Sequence, residues 1–125
     1  MKEFLLTSEE ITVIDRVADK FHEQSVAFGW HKKKDRPADI GMKIALCHSE
    51  LSEALECYRK GLKDSHLSQY DGITVELADA VIRIFDLAKR LKLPLGQALG
   101  DKHRYNSVRA DHKPENRRKK GGKKF

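Results

Sequence analysis

The 125-residue sequence predicts an all-α fold, a bundle of four to five helices completed by homo-oligomerisation. Three observations carry that expectation. Four segments place apolar residues at helical spacing, and none shows the alternation of a strand. Start and stop signals bracket those segments. At this length a single core is expected, near the lower limit for a domain that stands alone, so association between copies is favoured.

The first helix begins at "TSEE". Thr7 and Glu10 have the spacing of a capping box, in which each side chain meets the other's backbone N–H. Ile11, Ile14, Ala18 and Phe21 follow on one face with Val13 and Val17 beside them, and the helix should end near Gly29. A polar loop, "WHKKKDRP", separates it from the second helix. That helix should start around Pro37–Asp39 and run to about Lys60, because proline suits a first turn and Gly61 suits a C-terminal cap. After the loop "LKDSHLSQY", Asp71 is the expected N-cap of a third helix reaching about Leu91. Pro94 opens a fourth, to about Arg109, with Gly100 inside it at a cost of about 1 kcal/mol and a possible kink.

Charge divides the chain in two. The net charge is +6, and residues 113–125, "KPENRRKKGGKKF", carry all of it with seven Lys/Arg against one Glu. The expected organisation is therefore a helical domain over 1–112 and a basic, flexible tail over 113–125. A solvated tail is the plain reading, and an arm that touches phosphates is the sharper one. No apolar run approaches the roughly 20 residues of a membrane span, and the N-terminal apolar cluster is too short for a signal peptide, so a cytoplasmic protein without a membrane partner is expected. Cys47 and Cys57 lie on one predicted helix, roughly 15 Å apart, too far to bridge, and are expected to be free thiols.

The third helix, "ELADAVIRIFD", raises the chemical question. It is apolar around most of its circumference, which is the mark of a helix central to an assembly. Taking Glu76 as zero and 100° per residue, Arg83 falls at roughly 340°, Asp79 at roughly 300° and Asp86 at roughly 280°. The charges thus form one narrow stripe. On the second helix Glu50 and Glu53 share a face, with Lys43 two turns before and Glu56 further round toward solvent. Two helices can offer a carboxylate pair each toward one space. The plain reading is a pair of solvated faces laced with ion pairs. Against it, carboxylates crowded together repel, and burial adds to the cost. A hard divalent cation removes that conflict. Oxygen-only donors point to Mg²⁺, with Mn²⁺ as a substitute, rather than zinc.

The ordered pattern Glu50-x-x-Glu53 and Glu76-x-x-Asp79 resembles the signature of the MazG-like all-α nucleoside triphosphate pyrophosphohydrolases, the superfamily of the dimeric dUTPases and dCTP pyrophosphatases. "KIALCHSELSEALECYRKG" resembles that family's first metal-binding helix and "VELADAVIRIFDLAKRL" its second. "FGWHKK" resembles the loop ahead of the first, and "KHRYNSVRADHK" the segment after the second. The likeness covers most of residues 20–113.

The resemblance implies hydrolysis of a nucleoside or deoxynucleoside triphosphate to the monophosphate and pyrophosphate. Glu50, Glu53, Glu76 and Asp79 would be the Mg²⁺ ligands. Glu50 or Glu53 would deprotonate the attacking water. Lys102, Asn106 and Arg109 match the phosphate-contacting segment, and their spacing puts them on one face of the fourth helix. Lys43 is a further candidate for the phosphates. Trp30 and Phe28 would either stack on the base or pack the core. His22 and His31 read as surface or packing residues. Arg83 and Asp86 read either as a pair that orients the acidic stripe or as an ordinary helix ion pair. A homodimer or homotetramer is expected. The alternative function is a non-catalytic module that binds nucleotide or nucleic acid through the basic tail.

Overall fold

In a computed structural model of the protein, residues 4–125 are described. Their order is α1 (Ser8–Ala27), α2 (Pro37–Lys60), α3 (Gly72–Arg90) and α4 (Leu95–Val108), then a 3₁₀ turn (Ala110–His112) and the one-turn helix α5 (Pro114–Arg117). The fold is all-α, as expected; among the described residues the only β feature is an isolated antiparallel bridge between Lys63 and Asp71. The chain divides into two compact units, Val17–Leu93, and Met1–Arg16 with Pro94–Phe125.

Local chemistry sets the helix ends. At the start of α1 the Glu10 N–H donates to Thr7 Oγ1 at 3.1 Å, and the Thr7 N–H donates to Glu10 Oε1 at 3.2 Å, so the capping box forms. At its end Gly29 takes a φ of 74°, and the Trp30 N–H reaches back to the Ser25 carbonyl at 3.1 Å. That turn ends α1 and leads the chain into Trp30 and His31. Asp39 closes the first turn of α2, accepting from the Arg36 N–H at 2.8 Å and from Lys32 Nζ at 3.0 Å. Gly61 ends α2 in the left-handed region, φ 62°. Asp71 precedes α3 as expected but does not cap it through its side chain; its carboxylate instead accepts from Lys63 Nζ at 2.6 Å.

In the unit Val17–Leu93, α2 and α3 form an antiparallel hairpin. The Gly72 N–H donates to the Leu62 carbonyl at 2.8 Å, and a Cβ on Gly72 would lie 2.6 Å from Cys57 Sγ. The end of α1 joins α3 through the Phe21 and Phe85 rings, whose centroids are 6.2 Å apart, and through Asp19 to Lys89 at 2.9 Å. Arg90, at the end of α3, holds the loop before α2 by donating to Asp35 at 2.7 Å. The buried apolar residues are four alanines, Ala18, Ala54, Ala80 and Ala88, and no large side chain among the described residues is fully buried. Within the unit Val17–Leu93 α3 is not wrapped on all sides: Leu77, Val81 and Ile84 are each more than two-fifths exposed.

In the other unit, Gly100 does not kink α4. It is a point of close approach between α4 and α1, where a Cβ would lie 2.5 Å from Ile11 Cδ1. The helix stops at Val108, and Arg109 continues in extended conformation. Arg109 thus leaves the helical face on which its spacing from Lys102 and Asn106 had placed it. The tail includes α5, and Asn116 Nδ2 donates to the Ala110 carbonyl at 2.6 Å. No described helix is long and apolar enough to cross a membrane. Both cysteines are free.

Candidate metal and phosphate site

The hairpin brings the acidic stripes together. Carboxylate oxygens of Glu50, Glu76 and Asp79 lie within 4.8 Å of one another. Glu53 stands outside that trio but its carboxyl meets those of Glu50 and Glu76. Glu50 is the anchor, only 7% exposed and paired with Arg83, whose Nε donates to Glu50 Oε1 at 2.6 Å. Glu53 is exposed at the margin. Glu56 turns to Lys60 and Arg59 on its own helix and takes no part.

The group is electrostatically crowded. Burial, then the neighbouring carboxyls of Glu50 and Glu53, push Glu76 up to about 7. Glu53 is raised chiefly by Glu50, and Asp79 by burial and then by the charge of Glu50. Glu50 alone moves the other way. Burial works against its charge, but the Arg83 guanidinium and the carboxyl contacts with Glu53 and Glu76 outweigh it. The patch holds more negative charge than Arg83 balances.

A cavity of about 420 Å³ opens beside it, entirely within the unit Val17–Leu93. Glu50, Asp79, Arg83 and Lys43 are among its lining residues, as are Phe28, Trp30, His31 and Asp86. Glu53 and Glu76 are not among its lining residues. Phe28 and Trp30 are 71% and 73% exposed, so neither packs the core. They border the cavity from the turn after α1 and leave their ring faces accessible.

The sequence placed Arg83 with Asp86, and the structure separates them. Arg83 serves Glu50, while Asp86 accepts from Ser25 Oγ at 2.9 Å and meets His22 Nδ1 at 2.7 Å and His31 Nε2 at 2.8 Å. The ion pair within α3 does not form. His31 is no surface residue, since its side chain is 4% exposed. Ser25, His22 and His31 are the residues that sequence reasoning missed. His22 and Ser25 share a face at i, i+3, but the arrival of His31 depends on the turn at Gly29.

Lys102, Asn106 and Arg109 belong to the other unit. Lys102 Nζ sits 4.9 Å and Arg109 Cζ 5.6 Å from the Tyr105 ring centroid. Arg109 also holds Asp111 through two hydrogen bonds, at 2.9 and 2.6 Å. Asn106 Oδ1 is buried and has no hydrogen-bond partner.

Comparison with protein-family models, with curated proteins and with solved structures found no match to the chain.

Proposed function

We propose that the protein hydrolyses a nucleoside or deoxynucleoside triphosphate to the monophosphate and pyrophosphate with Mg²⁺, as a member of the MazG-like class. The observation that carries the reading is the convergence of Glu50, Glu76 and Asp79, with Glu53 adjoining, beside a cavity that Phe21, Phe28 and Trp30 also line. The donor set fits a hard divalent cation. It is all oxygen and partly buried, and burial and carboxylate crowding raise the proton affinity of Glu53, Glu76 and Asp79, while Arg83 helps hold Glu50 the other way. Mg²⁺ or Mn²⁺ bound there would neutralise phosphate charge and make a bound water more acidic.

The chain's own residues divide the work. Glu50, fixed by Arg83, would hold its carboxylate in one orientation. Glu53, exposed and outside the trio, is the better placed of the two to take a proton from water. That water would attack the α-phosphorus in line, with pyrophosphate leaving. Lys43 would meet the phosphates from the cavity wall, and Phe28 and Trp30 would stack on the base. Lys102, Asn106 and Arg109 are assigned to the phosphates on the sequence resemblance.

The test is incubation with a panel of NTPs and dNTPs, with Mg²⁺ or EDTA, followed by anion exchange. Monophosphate and pyrophosphate are expected, in Mg²⁺ only. Diphosphate and orthophosphate would overturn the reading. Saturable binding without product would favour the non-catalytic module. We also propose that the working form is a homo-oligomer, because the half-exposed aliphatic residues of α2 and α3 find no cover within the unit Val17–Leu93.

A further inference from the structure

We propose that His22, His31 and Asp86 form a second metal site, separate from the carboxylate group and suited to a borderline transition-metal dication of the Zn²⁺ class. Three elements supply it: α1 gives His22, the loop after α1 gives His31, and α3 gives Asp86. One ligand atom from each lies within 4.8 Å of the other two. The two imidazole centroids are 5.2 Å apart, and the rings are inclined at 53° rather than stacked. Both rings meet one carboxylate oxygen, Asp86 Oδ1, through His22 Nδ1 at 2.7 Å and His31 Nε2 at 2.8 Å.

The chemistry of this donor set differs from that of Glu50, Glu76 and Asp79. Two imidazoles and a carboxylate select Zn²⁺, Co²⁺ or Ni²⁺ over Mg²⁺, because nitrogen donors suit softer cations. Three protein ligands leave a tetrahedral cation one open position. His31 and Asp86 both line the cavity, so that position would face the space where a ligand enters. The surroundings hold the donors ready. Ser25 Oγ donates to Asp86 Oδ2 at 2.9 Å and steadies the carboxylate between the two rings. His31 Nδ1 is buried without a partner, so hydrogen bonding satisfies that ring on one side alone. A cation there requires the ring nitrogens that face Asp86 to be free of protons, because only an unprotonated imidazole nitrogen donates to a metal. This inference does not rest on the pyrophosphohydrolase reading.

The experiment is a Co²⁺ titration of the full chain after EDTA treatment and dialysis, read by visible absorption and by the hyperfine-shifted imidazole proton signals in NMR. One Co²⁺ per chain is expected, with the intense bands of four- or five-fold coordination and two shifted imidazoles. Zn²⁺ should displace it and millimolar Mg²⁺ should not. The Glu50→Gln/Asp79→Asn double variant should keep the signal. His22→Ala, at a side chain 25% exposed, should weaken binding at least tenfold with the helical circular dichroism unchanged. Pale six-coordinate spectra, absence of shifted imidazole signals in the unmodified protein, or loss of the signal in the carboxylate variant would overturn the site.

Discussion

Glu50 and Arg83 show how one residue pair sets the behaviour of the acidic group. Glu50 is nearly buried, and Arg83 is its one paired cation. Truncating Arg83→Ala strands that charge, and because the guanidinium is 43% exposed, solvent limits the loss to about 1–2 kcal/mol. The expected outcome is a lower melting temperature in EDTA, with a larger rise on adding Mg²⁺ than the unmodified protein shows. Glu53→Gln tests the chemistry rather than the packing. Its side chain is exposed, so the circular dichroism should be unchanged, while turnover should fall about 100-fold or more, as removal of a base or metal ligand commonly does. Retention of more than about a tenth of the activity would count against the assignment. Glu76 supplies the pH dependence. Its folded-state pKa, about 7, lies above the ordinary 4.5, so the folded chain binds a proton that the unfolded chain releases. That contribution is full below about 4.5 and is lost as the pH rises through about 7. Metal-free protein should therefore become less stable between these values, and Mg²⁺ should flatten the trend. Denaturant midpoints in EDTA that rise with pH over that window would contradict it.

The helices were legible because their boundaries are local chemistry. Thr7 with Glu10, Pro37, Gly61 and Gly29 each act within a turn of where they stand, so their roles follow from neighbours in sequence. The acid group was legible for a related reason: i, i+3 spacing fixes Glu50 with Glu53, and Glu76 with Asp79, on one face each. What the sequence did not reveal depends on contacts between elements. Gly100 reads as a helix breaker until Ile11 is known to press against it, and then it reads as a close approach. Asp86 reads as a partner for Arg83 until the turn at Gly29 delivers His31 to it. Gly72 belongs to the same group. A Cβ there would meet Cys57 Sγ at 2.6 Å and the Leu62 carbonyl at 3.1 Å, where α3 begins against the end of α2. Gly72→Ala should part α2 from α3 at that end and cost about 1–3 kcal/mol, as overpacking usually does. The check is a urea titration: a lower midpoint at constant slope is expected. Unchanged stability would mean that Cys57 gives way freely.

At the scale of the molecule, the protein leaves apolar side chains exposed in an ordered way. Leu51, Leu55 and Tyr58 follow one another at i, i+4, i+7 on α2, and Leu77, Val81 and Ile84 repeat the spacing on α3. All six are at least two-fifths exposed. Such spacing marks a single stripe on each helix, the pattern of a face built to be covered rather than of scattered surface residues. Within the unit Val17–Leu93 the buried apolar residues are alanines, which bury little area each. A second copy pressing on these stripes would supply the missing burial and give α3 the central place that its composition predicts. Stability would then depend on protein concentration, because association draws on the folded state alone. Light scattering after size exclusion should report a dimer or larger assembly at micromolar concentration, and the melting temperature should rise with concentration. Leu77→Asp places a charge in the stripe, one helical position from Glu76 and two from Asp79. It should shift the assembly toward monomer and lower the melting temperature, without touching a proposed metal ligand directly. A monomer at all concentrations, with a melting temperature independent of concentration, would defeat the oligomeric reading and leave the apolar stripes to a different protein.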